Sequence, residues 1–205
     1  MCFIRAPLTL RKGDLRKIEI IEAAIHSLAT DGIRNFTYQT VATQSKLAIA
    51  HIAYHFPSLD QLLLAAIQCI YASLHAQVSD ALSTKPPPEK ILKVYLEAHV
   101  EWLSLKPHYP TAGLTLINLA SVDKRFRDLH TELKEIGQKR IETLFQITAK
   151  AKRLKRSAKQ IREISNSLQS LLMGQIVFYQ STTHARSLPL LKESIYAHAL
   201  ALLGQ

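Results

Sequence analysis

Glycine is scarce in this chain, with six among 205 residues, and the eight prolines fall mostly between periodic stretches. Many short strands joined by tight turns would need more of that turn chemistry, so an all-α fold is expected. Cysteine is limited to Cys2 and Cys69. Two thiols make no disulfide scaffold and point to a reducing compartment. Cys69 lies on an apolar helical face and reads as core. No uninterrupted apolar run reaches the ~18 residues of a membrane span, and the opening residues meet Arg5 too early for a secretory leader. A cytoplasmic protein without membrane contact is expected. The motifs HExxH, a phosphate-binding P-loop and a nucleophile elbow are all missing, so neither an enzyme nor a cofactor is expected.

What is present is an apolar fraction of 47% against 20% charged residues, enough to fill a core. The length allows one or two domains. The formal net charge of +10 favours polyanionic partners through phosphate neutralisation and counterion release.

Helical periodicity starts at Asp14, after a basic arm over residues 1–13. Leu15, Ile18, Ile21, Ile25 and Leu28 mark its apolar face, and Asp31-Gly32 supplies a stop. Two short helices are expected next, over 38–45 behind a Thr37 cap and over 48–55, with Lys46-Leu47 as the turn between them. Ser58, with Gln61 three residues on, starts a long helix to about Leu82. Pro86-Pro87-Pro88 breaks the pattern. Further helices are expected over 88–105, over 111–120 after interruptions at Pro107 and Pro110, from Asp123 to about 150, from Ser157 to about 181, and over 188–203. On the Asp123 helix, Phe126, Leu129, Leu133, Ile136, Leu144 and Ile147 mark the expected buried stripe. This gives about nine helices and no repeats.

Two short helices joined by a tight turn and braced by a longer one describe a helix-turn-helix, whose second helix enters the major groove. Residues 16–63 resemble the N-terminal domain of TetR-family regulators. The resemblance is carried by Ala23-Ala24, Gly32, Thr37, Val41-Ala42, Tyr54-His55-Phe56 and Ser58. It implies a DNA-binding domain over 1–57 and a helical ligand-binding and dimerisation domain over 58–205. There are departures: Lys46 stands where the family often has glycine, Ala48 where it has a serine cap, Ala53 where it has tyrosine, and Leu59 where it has lysine. Several phosphate anchors are thereby lost.

The donors left on the module are Gln39, Thr43, Gln44, Lys46, His51, Tyr54 and His55. Gln44, His51 and Tyr54 are expected to approach base edges, and Thr37, Lys46 and His55 to hold phosphates. Lys12, Arg16, Lys17 and Arg34 can add backbone contacts. His51 and His55 have metal-binding spacing, but no third ligand is evident and no metal is expected.

In the second part, Tyr95, His99 and Trp102 share a helical stripe, and Tyr109, Phe126, Phe145, Met173 and Phe178 lie on other helices. Such groups either fill a core or line a pocket for a mostly apolar ligand. The resemblance implies an inducer pocket here. The last two helices carry wide apolar faces, Leu168, Leu171, Leu172, Ile176 and Tyr179 on one, and Leu188, Leu191, Ile195 and Leu202 on the other. For these the resemblance implies a four-helix homodimer interface. Lys150 to Arg162 is the densest basic cluster and reads as a solvated turn, or else as a contact for an anionic ligand or for DNA.

Together these readings describe a transcriptional regulator, expected to be a repressor, that binds a double-stranded operator and responds to a small-molecule effector. Two alternatives stand beside it. One keeps the fold with weak or non-standard DNA binding and action through another partner. The other is a small all-helical ligand-binding protein or enzyme.

Overall fold

The computed structural model describes residues 11–181 and 187–204, which hold nine α-helices, one 3-10 turn and no strand. The helices are α1 (Lys12–Thr30), α2 (Tyr38–Ser45), α3 (Ile49–His55), α4 (Leu59–Ser83), α5 (Ile91–Leu105), α6 (His108–Val122), α7 (Lys124–Ala151), α8 (Ala158–Ser181) and α9 (Leu188–Leu202). The fold is all-α, as expected. Most of the basic arm, with Cys2 and Arg5, lies outside the described residues.

Helix ends follow local chemistry. Ser58, Ser157 and Ser187 each accept a bond from the backbone N–H three residues on. At Ser157 the box is complete, because Gln160 Oε1 accepts from the Ser157 N–H at 2.8 Å. α1 starts earlier than expected, at Lys12 behind Arg11, so Asp14, where the periodicity begins, lies inside the first turn. There its charge still complements the helix dipole. Gly32, at φ 74°, turns the chain after α1, a conformation that side-chain-bearing residues adopt at a cost. Pro107 and Pro110 do not interrupt a helix. They sit at the start of α6, where a missing N–H leaves no intrahelical bond unmade.

Two buried stripes differ from expectation. On α1 the covered face is Ile20, Ala24, Ile25, Ser27 and Leu28, while Leu15 is exposed. On α7, Ile136 is exposed, and Phe126, Ile141, Leu144, Phe145 and Thr148 are buried. Periodicity located each helix but misplaced part of its covered face.

The chain divides into two compact units. The first comprises residues 1–76 and 106–128, the second residues 77–105 and 129–205. In the first unit α1 packs on α2 and α6, and α2 packs on α3. Tyr109 Oη donates to Glu22 Oε1 at 2.6 Å across the α1–α6 contact. Arg125 binds Asp123 and reaches Asp60 of α4 at 2.7 Å. In the second unit α9 packs on α5 and α8. Lys192 pairs with Glu101 at 2.6 Å, and Arg156 donates to the Leu203 carbonyl. Beside Gly137 the Gln169 amide of α8 reaches α7, where its Nε2 donates to the Lys134 carbonyl at 2.9 Å.

By length and composition α4 could cross a membrane, although no uninterrupted apolar run reveals this in the sequence. Leu62, Leu63, Ala66, Ile67, Ile70 and Val78 are instead buried within the protein, as expected of a core helix.

The Asp123–Arg125 pair gives a pH prediction. Hydrogen bonds from Arg125, first from its side chain and then from its backbone N–H, hold the Asp123 carboxyl below its ordinary value of 3.8. A depressed folded value means that stabilisation is full above 3.8 and is lost as pH falls through the folded value. Asp123→Asn should therefore lower the urea midpoint at neutral pH, with the difference from the parent shrinking below about pH 3. A difference unchanged over that range would remove the carboxylate from the account.

Candidate nucleic-acid interface

Residues 37–56 form a compact surface module. Thr37 caps α2 through a reciprocal pair, its Oγ1 accepting from the Thr40 N–H at 3.2 Å while Thr40 Oγ1 accepts from the Thr37 N–H at 3.1 Å. One helical turn later Val41 and Ala42 point inward and are buried. α2 stops at Lys46, which takes a left-handed conformation at φ 56°. A non-glycine residue there costs roughly 1–2 kcal/mol, so the turn keeps the geometry that glycine would supply more cheaply.

α3 starts without a side-chain cap, because Ala48 offers no oxygen. Its anchor is at the other end, where Tyr38 Oη donates to the Phe56 carbonyl at 2.7 Å. That bond ties the first residue of α2 to the last turn of α3. Ile52 and Phe56 face the core and are buried. Helix spacing then turns Ile49, Ala50, His51 and Tyr54 outward, and all four are exposed.

The structure brings the expected DNA-contacting side chains onto this outer surface. Gln39, Gln44, Lys46 and His51 are exposed, Tyr54 is 79% exposed, and His55 is half-buried with its ring edge-on to Tyr54 at 5.2 Å. Thr37 is exposed, but its oxygen is engaged in the cap. Of the flanking cations, Arg34 and Lys17 are exposed, and Arg16 is paired with Glu19 at 2.6 Å. Reading for hydrogen-bond donors missed Ile49, an exposed apolar residue in the first turn of α3. A methyl-bearing side chain there suits contact with a thymine methyl group. Across residues 11–57 there are six basic and four acidic residues, so the module is only mildly cationic.

Residues 20–66 match the family model for bacterial regulatory proteins of the tetR family. The match covers the helix-turn-helix region and the start of α4, and in that stretch the chain is similar to that family. Solved structures share its fold over nearly the whole length. One is a protein from Pseudomonas aeruginosa PAO1 assigned as a transcriptional regulator, with TM-score 0.80, 16% identity, and coverage of 95% of this chain and 93% of that one. Another is a TetR transcription regulator from Haloarcula marismortui ATCC 43049, with TM-score 0.77, 18% identity, and coverage of 91% and 97%. A third is the multidrug binding protein EbrR complexed with imidazole, with TM-score 0.62, 19% identity, and coverage of 91% and 94%. No curated protein matches the chain.

The residues expected to contact ligand fall in both units. In the first, Tyr109 is buried with its hydroxyl committed to Glu22, and Phe126 is buried. In the second, Tyr95, Trp102 and Phe145 are buried, and His99 and Met173 are half-buried. The Tyr95 and His99 rings lie 4.5 Å apart, and burial raises the Tyr95 pKa. Phe178, expected to line a pocket, is instead 64% exposed on α8. Of the expected interface residues, Leu168, Leu172, Leu191 and Ile195 are already buried within the single chain, while Leu171, Ile176, Tyr179, Leu188 and Leu202 are half-buried. Val177, Phe178 and Leu190 are the exposed large apolar side chains on these two helices.

Two substitutions separate support from strain. Tyr38→Phe removes the bond to Phe56 and should cost about 1 kcal/mol in urea unfolding. Lys46→Gly relieves the left-handed strain and should stabilise by up to about 1 kcal/mol. A destabilised glycine variant would show that the Lys46 side chain supplies more than its backbone costs.

Proposed function

We propose that this chain is a TetR-family regulator, a dimeric transcriptional repressor whose operator affinity is modulated by a small, largely apolar ligand. The observation that carries the DNA reading is α3 itself. This short helix is held from beneath by Ile52 and Phe56 and from one end by Tyr38, and it presents Ile49, Ala50, His51 and Tyr54 to the outside. Such a helix places its exposed side chains against base edges in the major groove. Gln44, His51 and Tyr54 read bases in this scheme. Lys46 and His55 hold phosphates, with Gln39 beside them. Thr37 acts through the cap.

The functional division is a DNA-binding domain over 1–57 and a ligand-binding and dimerisation domain over 58–205. Ligand uptake is assigned to the second compact unit, with Tyr95, His99, Trp102, Phe145 and Met173 as candidate lining. The likeness to a multidrug binding protein favours a permissive apolar site. Dimerisation is assigned to α8 and α9, where exposed Val177, Phe178 and Leu190 join half-buried Leu171, Ile176, Tyr179, Leu188 and Leu202, while Leu168, Leu172, Leu191 and Ile195 support that face from inside. A two-fold dimer presents two recognition helices to two half-sites. Ligand acts by binding one setting of α4 better than another, since unequal affinity is the only source of a shift.

Purified protein mixed with fragments of its own genome in gel shifts should select a few sequences, and binding should weaken as salt rises. Tyr54→Ala should lower affinity for a selected fragment about tenfold, the worth of one good base contact. The absence of any selective shift at low salt would overturn the operator reading. Phe178→Asp should turn a dimer into a monomer in sedimentation at micromolar concentration. A monomeric parent would overturn the dimer.

A further inference from the structure

We propose that the corner between α7 and α8 is a second ligand site, taking a small phosphorylated compound distinct from the apolar effector. Residues 143–162 carry seven basic residues and no acidic one. The corner holds a cleft of about 590 Å³ lined by Lys150, Lys155 and Arg156 together with Gln146, Gln160 and apolar Ala149, Leu154 and Ile161. This is a concave wall with three cations, two amides and an apolar floor.

The electrostatics of the two helix ends decide between a solvated turn and a site. Lys150 lies in the last turn of α7, where a cation complements the helix dipole and needs no further explanation. At the start of α8 the arrangement is inverted. Lys155 and Arg156 precede the Ser157 cap, Lys159 and Arg162 follow it, and the first turn holds no acidic residue. Four cations at the positive end of a helix repel one another and the dipole. Only the outer two are compensated, Lys159 by Glu163 at 4.0 Å and Arg162 by Glu142 at 3.5 Å. Lys150 and Lys155 have no carboxylate within 4.0 Å among the described residues. Arg156 is held in place by donating to the carbonyls of Lys155 and Leu203, leaving other guanidinium N–H groups available.

A bound oxyanion relieves this local conflict. Phosphate is favoured because it accepts from several cations at once. The apolar wall of Ala149, Leu154 and Ile161 suits the body of a small molecule. Since α9 ends on Arg156, occupancy of the cleft also bears on the seating of the C-terminal helix.

The test uses the full chain and sodium pyrophosphate, with ionic strength held constant by NaCl. Saturable binding is expected in calorimetry, with amide shifts in NMR centred on residues 146–161. The Lys150→Gln/Lys155→Gln double variant should bind about tenfold more weakly or worse. The thermal midpoint of Lys155→Gln alone in NaCl should be unchanged or raised, since one of the like charges before α8 has been removed. A non-saturating response, shifts centred elsewhere or unchanged affinity in the double variant overturns the proposal. If the double variant misfolds, Lys155→Gln alone serves, with the same outcomes. A short random-sequence duplex forms the second arm. If it shifts these amides and pyrophosphate does not, the corner is a DNA contact and the proposal fails.

Discussion

The module at residues 37–56 depends on one constraint, that α2 and α3 are too short to exist alone. Helices below ~12–15 residues are marginal in water, because nucleation costs more than a few backbone bonds return. Here the two run over Tyr38–Ser45 and Ile49–His55. Their stability must come from the surface they cover, which is why Val41, Ala42, Ile52 and Phe56 are all buried. The Thr37–Thr40 box and the Tyr38–Phe56 bond then fix where each helix begins and ends. Once the inner face has absorbed the packing requirement, the outer face of α3 carries no structural duty. Its residues can vary with the partner while the scaffold stays the same.

That separation also explains what was legible in the sequence. Scaffold features have local signatures. Gly32 announces a turn needing positive φ, Thr37 announces a cap, and Val41-Ala42 announces an inward face; the structure places each of them so. Capping serines likewise placed the starts of α4 and α8 to within a residue. Long-range features were not legible. The Tyr38 hydroxyl meets a carbonyl 18 residues away, and no spacing rule singles out that partner. The exposure of Leu15 and Ile136 depends on which part of each helix other elements cover, which periodicity within one helix does not encode. Phe178 was read as pocket-lining because aromatic residues are usually covered, yet it lies outside on α8.

The same distinction applies to α8 and α9. Both helices carry a wide apolar face in sequence. In the folded chain the stripe divides into a half already consumed by internal packing, through Leu168, Leu172, Leu191 and Ile195, and a half left at the surface around Val177, Phe178 and Leu190. Only the second half has apolar area to remove from water on association, at roughly 25 cal/mol per Å². The inner residues set the position of the outer ones, so truncating them would act on the fold before it acted on assembly.

Charge shows why composition misleads as a pointer to mechanism. A net +10 suggests a polyanion partner, and a helix-turn-helix suggests DNA, so the two invite a single explanation. The charge is elsewhere. Residues 11–57 hold six basic against four acidic residues, whereas residues 143–162 hold seven basic and none acidic. On the proposed DNA reading, a surface with so few cations would gain more of its affinity from hydrogen bonds and apolar contacts to bases, through groups such as His51, Tyr54 and Ile49. These contacts discriminate sequence but contribute little to non-specific, salt-dependent binding. The α7–α8 corner has the opposite character, with concentrated charge and no base-reading helix. The two proposals thus assign a weakly charged surface to sequence recognition and a strongly charged cleft to an anion. Their salt dependences should differ for that reason, because the number of ionic contacts, and not the net charge of the whole chain, sets how steeply binding falls as salt rises.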